Sequence, residues 1–422
     1  MEVDRERLRE DVERNGEFGR VETQEGRGRT NRSGTEANRR ARQYFVERLE
    51  DAGLEVRVDA VGNVVGRWTP ESADPDAKPV AAGSHLDSVP EGGIFDGPLG
   101  TYGALEAVRT MRELGIEPER PLVVVSFTEE EGGRFGSGML GSSVATGRRS
   151  VEEALALEDA EGVTLEDALE EIGFRGEGRL NAAGWDAWLE LHVEQGTRLE
   201  SVDVPVGIVS DITGITHCSV TIEGEANHAG ATPMGERTDA LAAASEFVRD
   251  VERAAEEAVA SESEGAVATV GSLSVAPNAT NVVPGRVDCG VDVRDVDHGL
   301  MDALVDRART SLARLERVRG VDCTLAREFD VEPAAMAPRC RTAAREAAEA
   351  DGITTMELYS GAAHDSMRIA RVTDAGLLFA PSREGISHNP REWTDWNDCA
   401  TATSVLCGTL ARLAGATFEG DS

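Results

Sequence analysis

Lysine is nearly missing from this chain. Among 422 residues Lys78 is the single lysine, so almost all of the 43 basic residues are arginines, and they face 78 acids for a formal net charge of −35. Such a charge repels phosphates and argues against nucleic acid as a partner. The acids are spread along the chain and alternate with apolar positions as on ordinary amphipathic helices, which speaks for adaptation to solvent and against a surface built for basic partners. A salt-rich cytosol suits this composition, because at 1 M salt the Debye length of about 3 Å suppresses self-repulsion. Also lacking is any run of about 20 apolar residues, so no membrane-spanning helix is expected. The first residues, MEVDRERLREDVERNGEFG, are charged and helix-like, and a soluble, unexported, cytoplasmic protein is expected. The six cysteines, Cys218, Cys289, Cys323, Cys340, Cys399 and Cys407, include no C-x-x-C pair. That points away from a zinc ribbon or a disulfide framework and fits a reducing compartment.

What is present reads as an ordered α/β protein. Hydrophobic residues make up 40% of the chain, and its length exceeds what one core usually supports, so two domains, or one large and one inserted, are expected. Residues 35 to 53 form an amphipathic helical pattern, followed by the short strands LEVRVDA and NVVGRW. KPVAAGSHLDS is a buried strand running into a polar loop, GTYGALEAVRTMRELG has helical period, and PLVVVSFTEEE is a second buried strand ending in acids. Strands that deliver polar residues at their carboxyl ends with a helix between are how open α/β sheets build sites. From Ile212 the order becomes strand, helix, strand, strand, helix, strand, a small α+β (ferredoxin-like) domain with one covered sheet face. The expected organisation is therefore a mixed-sheet catalytic domain of residues 1–211 and 333–422, with residues 212–332 inserted.

Three of the seven histidines, His85, His192 and His388, lie in polar motifs at the ends of strand-like runs. In His85-Leu86-Asp87 the spacing lets Asp87 accept the second imidazole N–H and fix which nitrogen faces a metal. Asp96, between glycines in FDGPLG, is placed to bridge two cations, which in two-metal hydrolytic sites stand about 3.5 to 4 Å apart. Glu129-Glu130-Glu131 follows a buried strand, where one acid can ligate while its neighbour works as a base. Acid triplets in so acidic a chain are usually solvated faces, and position after the buried strand is what sets this one apart. Nitrogen and oxygen donors suit zinc, manganese, cobalt or nickel better than thiolate-selected metals.

The segments GSHLDSVPEGGIFDG, FTEEEGGRFGSGMLGS, LELHVEQG, GEANHAGATPM, PNATNVVPG and GISHNPREWT, in order from about Gly26 to the last helix, resemble the hydantoinase/carbamoylase amidase family. That family includes N-carbamoyl-L-amino acid hydrolases, allantoate amidohydrolases and β-ureidopropionases, within a larger group of dinuclear-zinc hydrolases. The resemblance implies two divalent ions per subunit, one held by His85, Asp96 and His192 and the other by Asp96, Glu131 and His388. It implies Glu130 as general acid and base, and Asp87 as the residue orienting a ligand. His228 would reach the partner subunit's active site through a lid and dimerisation domain and steady the oxyanion, which makes a homodimer the expected assembly. Gln195, Asn281, Arg294, Gly361 and Ala362 match substrate-holding positions, with Arg294 apt to grip a carboxylate through two parallel hydrogen bonds.

His364 sits in a GA-x-HD pattern and reads equally well as a structural histidine bonded to Asp365. His217 and His298 lie outside any motif. Departures from the family pattern are Ile94, where an arginine or lysine is common, and an acidic helix between residues 131 and 192; neither touches a ligand, and the second bears on the cleft rim and so on substrate preference. The expected activity is hydrolysis of the ureido C–N bond of N-carbamoyl-L-amino acids or related small ureido acids. The rivals are an allantoate amidohydrolase with the same ligands, an inactive metal- or ligand-binding homologue, and an acidic interaction protein whose binding survives chelation. Intact Glu130, which would bind no metal, speaks against the second.

Overall fold

The computed structural model describes residues 1–136 and 138–416, and its chain divides into two compact units. The larger comprises Met1–Ser210, Ala335–Leu358 and the chain from His364 onward; the smaller comprises Asp211–Ala334 and Tyr359–Ala363. The small segment 359–363 is a departure from the expected boundary at 332/333, so Gly361 and Ala362 belong to the smaller unit. Hydrogen bonds explain its allegiance: Thr213 N donates to Ser360 O at 2.9 Å, and Arg294 Nη1 donates to Gly361 O at 3.1 Å.

The larger unit is built on a nine-stranded mixed sheet. At its centre four neighbouring strands run parallel in the order Asp374–Ala380, Ala187–Val193, Val80–His85, Leu122–Phe127. Apart from Asp374 their residues are all buried, as expected of parallel strands covered on both faces. Antiparallel strands Val64–Trp68 and Glu55–Val58 extend one side. The helices Arg5–Gly16, Pro98–Glu113, Pro338–Ala350 and Trp396–Leu413 pack on one another over a single apolar core. A second cluster, including Val61, Phe135, Leu140, Leu165 and Leu169, closes beneath two short helices, Val151–Leu155 and Leu165–Glu171. The single acidic helix expected between residues 131 and 192 is thus divided, each part with its own Ser150 or Thr164 N-cap.

The smaller unit is a four-stranded antiparallel sheet in the order Val267–Ala276, Arg286–Asp295, Gly214–Glu223, Asp322–Val331. Its two central strands alternate, so that Cys218, Val220, Ile222, Val287, Cys289, Val291 and Val293 turn inward under the helices Ala240–Ser261 and His298–Arg319, while the two edge strands carry irregularities at Val270/Ser272 and Arg327/Phe329. The second-third-first-fourth strand order with both helices on one face is the ferredoxin-like arrangement. Among the described residues no helix is long and apolar enough to cross a membrane.

Candidate active site

The four central parallel strands deliver polar groups at their carboxyl ends, where open α/β sheets gather their chemistry. His85 closes its strand, His192 lies one residue from the end of the next, Glu130 and Glu131 follow Phe127, and His388 follows the strand that ends at Ala380. Asp96 sits just before Gly97, the N-cap of the helix Pro98–Glu113. Gly97 has φ of 83°, and a Cβ there would lie 2.6 Å from the His85 ring, so only glycine lets the two approach.

Asp96 stands at the centre. His192 Nε2 and His85 Nε2 lie 3.2 and 3.5 Å from its Oδ1, whereas His388 Nε2 lies 3.4 Å from Oδ2 and 3.3 Å from Glu131 Oε2. The donor atoms of His85, Asp96 and His192 fall within 4.8 Å of one another, as do those of Asp96, Glu131 and His388. One carboxylate shared by two nitrogen-and-oxygen sets is the donor geometry of a pair of divalent ions. Among the described residues no donor meets the buried Glu131 Oε1, which suits it to ligate. The residues therefore fit a dinuclear centre.

The electrostatics point the same way. Burial pushes the Glu131 carboxyl up to about 7 and the Glu130 carboxyl well above its usual range, the latter against the pull of His85. The hydrogen bond to Asp96 raises His388 to about 9. Burial opposes ionisation of Asp96, but the imidazoles of His192, His388 and His85 outweigh it and hold that carboxyl well below its usual range. So many acids gathered away from water retain protons that divalent cations would displace. Glu130 Oε2 approaches His85 Nε2 at 3.8 Å but belongs to neither donor set.

Supporting groups fix these side chains. Asp87 meets His85 through its backbone carbonyl, 3.2 Å from Nδ1, while its carboxylate Oδ1 stands 3.8 Å away. This differs from the expected carboxylate contact because that carboxylate instead accepts from Glu130 N and Glu131 N, tying the acid loop to the His85 loop. Glu129, Gln195 and His388 all adopt left-handed backbone conformations, with φ of 55°, 58° and 54°. Such strain in non-glycine residues collects where function over-determines the backbone. Gln195 Nε2 donates to Asp96 Oδ2 at 2.9 Å, so this amide holds the central carboxylate. His364 packs edge-on against His192, ring centres 4.5 Å apart, and burial keeps it neutral; the Asp365 carboxylate accepts from Ser142 Oγ.

Three supports escaped sequence reasoning. Buried Arg29 donates to the carbonyls of Leu86, Asp87, Gly93 and Asp96 and to Asn15 Oδ1, holding both ligand loops by their backbones. Glu392 accepts from Phe95 N and Asp96 N, and Ser387 Oγ lies 2.8 Å from both Asp96 Oδ2 and Glu392 Oε2, its one proton bonding either of them. Their signals were faint: a basic cluster in GRGRTNRSG, and the polar ends of GISHNPREW.

The smaller unit carries the other expected residues. His228 is exposed, and its Nδ1 accepts from Gly230 N and Ala231 N at 3.0 and 3.2 Å, which assigns the ring proton to Nε2. Asn281 O accepts from Ala229 N, linking the Asn281 loop to the His228 loop. Arg294 grips the Asp292 carboxylate with Nε and Nη2, and Ala362 N donates to Ser360 Oγ. His217 Nε2 also meets Asp292, and His298 meets Asp330.

Residues 81–412 match the family described as Peptidase family M20/M25/M40. The chain is 40% identical over 394 residues to the N-carbamoyl-L-amino-acid amidohydrolase of Paenarthrobacter aurescens, spanning 92% of this chain and 94% of that one. It is 36% identical over 369 residues to the allantoate amidohydrolase of Bacillus subtilis, spanning 87% and 88%. A crystal structure of an amidase of the hydantoinase/carbamoylase family from Burkholderia multivorans superimposes with a TM-score of 0.92 at 36% identity, covering 98% of both chains. Arg29 lies before the residues matched to the wider family.

Proposed function

Because the chain belongs to the peptidase family M20/M25/M40, we propose that it is the kind of member that cleaves the carbamoyl C–N bond of an N-carbamoyl-L-amino acid or a related ureido acid. The observation that carries the reading is Asp96, whose two oxygens face separate donor sets while Glu130 stands beside them outside both. Relatives of that activity at about 40% identity over nearly the whole chain support the substrate class.

His85, Asp96 and His192 would hold one divalent ion and Asp96, Glu131 and His388 the other, zinc first, with manganese, cobalt or nickel as alternatives. Bound there, such ions supply Lewis acidity, making water a nucleophile near neutral pH and polarising the ureido carbonyl. Glu130 takes the proton of the attacking water and delivers it to the departing nitrogen, a role suited to a carboxyl whose hold on protons is strengthened by burial. Asp87 keeps the Glu130 backbone in place, and Gln195 and Ser387 orient Asp96. Hydrolysis gives the amino acid, ammonia and carbon dioxide.

The smaller unit serves as lid and dimerisation domain in this reading. Its His228, with the proton on Nε2, is a neutral donor suited to the tetrahedral oxyanion of the partner subunit's site, in a homodimer. Arg294 and Asn281 take the carboxylate end of the substrate, Gln195 and the Gly361 and Ala362 backbone lie near its ureido group, and lid closure excludes water. The acidic composition belongs to the cytoplasm of a salt-rich cell.

The relative from Bacillus subtilis keeps allantoate as a second substrate reading. Ammonia release over N-carbamoyl amino acids, 3-ureidopropionate and allantoate, at molar salt with zinc or manganese added, separates them. Turnover of peptides with no ureido substrate cleaved would overturn the proposal.

A further inference from the structure

Among the described residues, Arg148, Arg149 and Arg368 of the larger unit form no ion pair with a carboxylate. Arg148 and Arg149 follow the helix Leu140–Ala145, on the turn into the helix Val151–Leu155, and Arg368 lies in the helix Asp365–Ile369. The first and last of these helices pack together, joined by the Ser142 hydroxyl, which donates to Asp365 Oδ1.

Arg368 is 8% exposed, yet among the described residues its guanidinium donates no hydrogen bond and makes no ion pair, and its Nε is buried without an acceptor. Arg148 and Arg149 likewise form no ion pair there. The deeply buried Arg29 and Arg42 differ from Arg368, since neutral oxygens answer both: Arg29 donates to four backbone carbonyls and Asn15 Oδ1, and Arg42 to Asn38 Oδ1, Gly62 O and Thr128 Oγ1. Asp365, three residues before Arg368, does not neutralise it: Oδ1 serves Ser142, and Oδ2 has no partner. Burial first, and then the like charges of Arg148 and Arg371, push Arg368 down to about 10, and Asp365 does not offset them. A guanidinium whose Nε is buried without an acceptor, beside like charges, is unfavourable unless an anion completes the arrangement.

We propose that Arg368, Arg148 and Arg149 form a binding site for a small tetrahedral oxyanion of the phosphate or sulfate class, separate from the metal ligands. The planar fork of Arg368 offers paired N–H donors that match two oxygens of such an ion, and the arginines on the turn add charge from the solvent side. Chloride, a single spherical ion, offers no pair of oxygens for the fork to engage.

The test is calorimetric titration of the metal-loaded full chain with sodium sulfate, and separately with inorganic phosphate, at ionic strength held constant with sodium chloride. The expected result is one site per chain, weakened about tenfold or more in R148Q/R149Q, with hydrolytic turnover unchanged. Titration curves that R148Q/R149Q leaves unaltered would overturn the proposal, and so would the absence of saturable binding. Because Arg368→Gln alters a buried side chain, it is read by sulfate-induced thermal stabilisation: a shift that vanishes supports the site, and a shift equal to that of the parent protein contradicts it.

Discussion

At the scale of single residues, the site follows from how few groups are asked to do several things. Asp96 serves both donor sets, so Asp96→Asn is expected to lower bound metal from near two ions per chain to well below one, whereas His388→Ala should cost only one of the two. Metal analysis of dialysed protein distinguishes these outcomes, and equal loss in both variants would contradict the shared-carboxylate arrangement. The metal-free protein should also carry a pH signature. His388 is raised to about 9 from an ordinary 6.5, so its contribution to stability is complete below pH 6.5 and lost as pH rises through about 9. Metal binding needs that imidazole neutral and strengthens over the same range. Thermal melts of chelated and loaded protein should therefore diverge between pH 6.5 and 9, and parallel curves would argue against it.

Between residues and whole molecule, the elements decide how near the ligands come. Gly100, in the first turn of the helix Pro98–Glu113, has no room for a side chain: a Cβ there would lie 2.1 Å from the backbone oxygen of Leu191. Gly100→Ala should push the helix from the strand that carries His192 and lower stability by ~2 kcal/mol or more. Denaturant melts read the loss directly; an unchanged midpoint would show that the contact is not tight. The strand ends were legible in the sequence because each follows a buried apolar run, which marked His85, His192, His388 and the Glu129–Glu131 triplet as candidates, whereas the choice of Glu131 over Glu130 as the ligating acid came only from the resemblance. Arg29 and Glu392 were not legible, because they bind backbone groups of loops remote in sequence, and no local spacing records such pairing. The segment 359–363 escaped for the same reason: its allegiance rests on hydrogen bonds to Thr213 and Arg294.

For the molecule as a whole, the net charge of −35 sets the conditions in which the fold persists. At 0.1 M salt the Debye length is about 10 Å, and at 1 M about 3 Å, so repulsion among surface carboxylates is felt in the first case and largely screened in the second. The melting temperature is expected to rise steadily from 0.1 M to 2 M sodium chloride, and a flat response would remove the case for salt adaptation. The alternating strands made the ferredoxin-like unit legible, whereas the proposed homodimer was expected only from the resemblance around His228, and no pattern within one chain records it. The claim on which everything else depends is that Glu130 moves the proton and holds no metal. Glu130→Gln, assayed together for metal content and ammonia release from an N-carbamoyl-L-amino acid, tests it most directly: the account predicts near two ions per chain with hydrolysis abolished, and retained turnover, or loss of an ion, would contradict it.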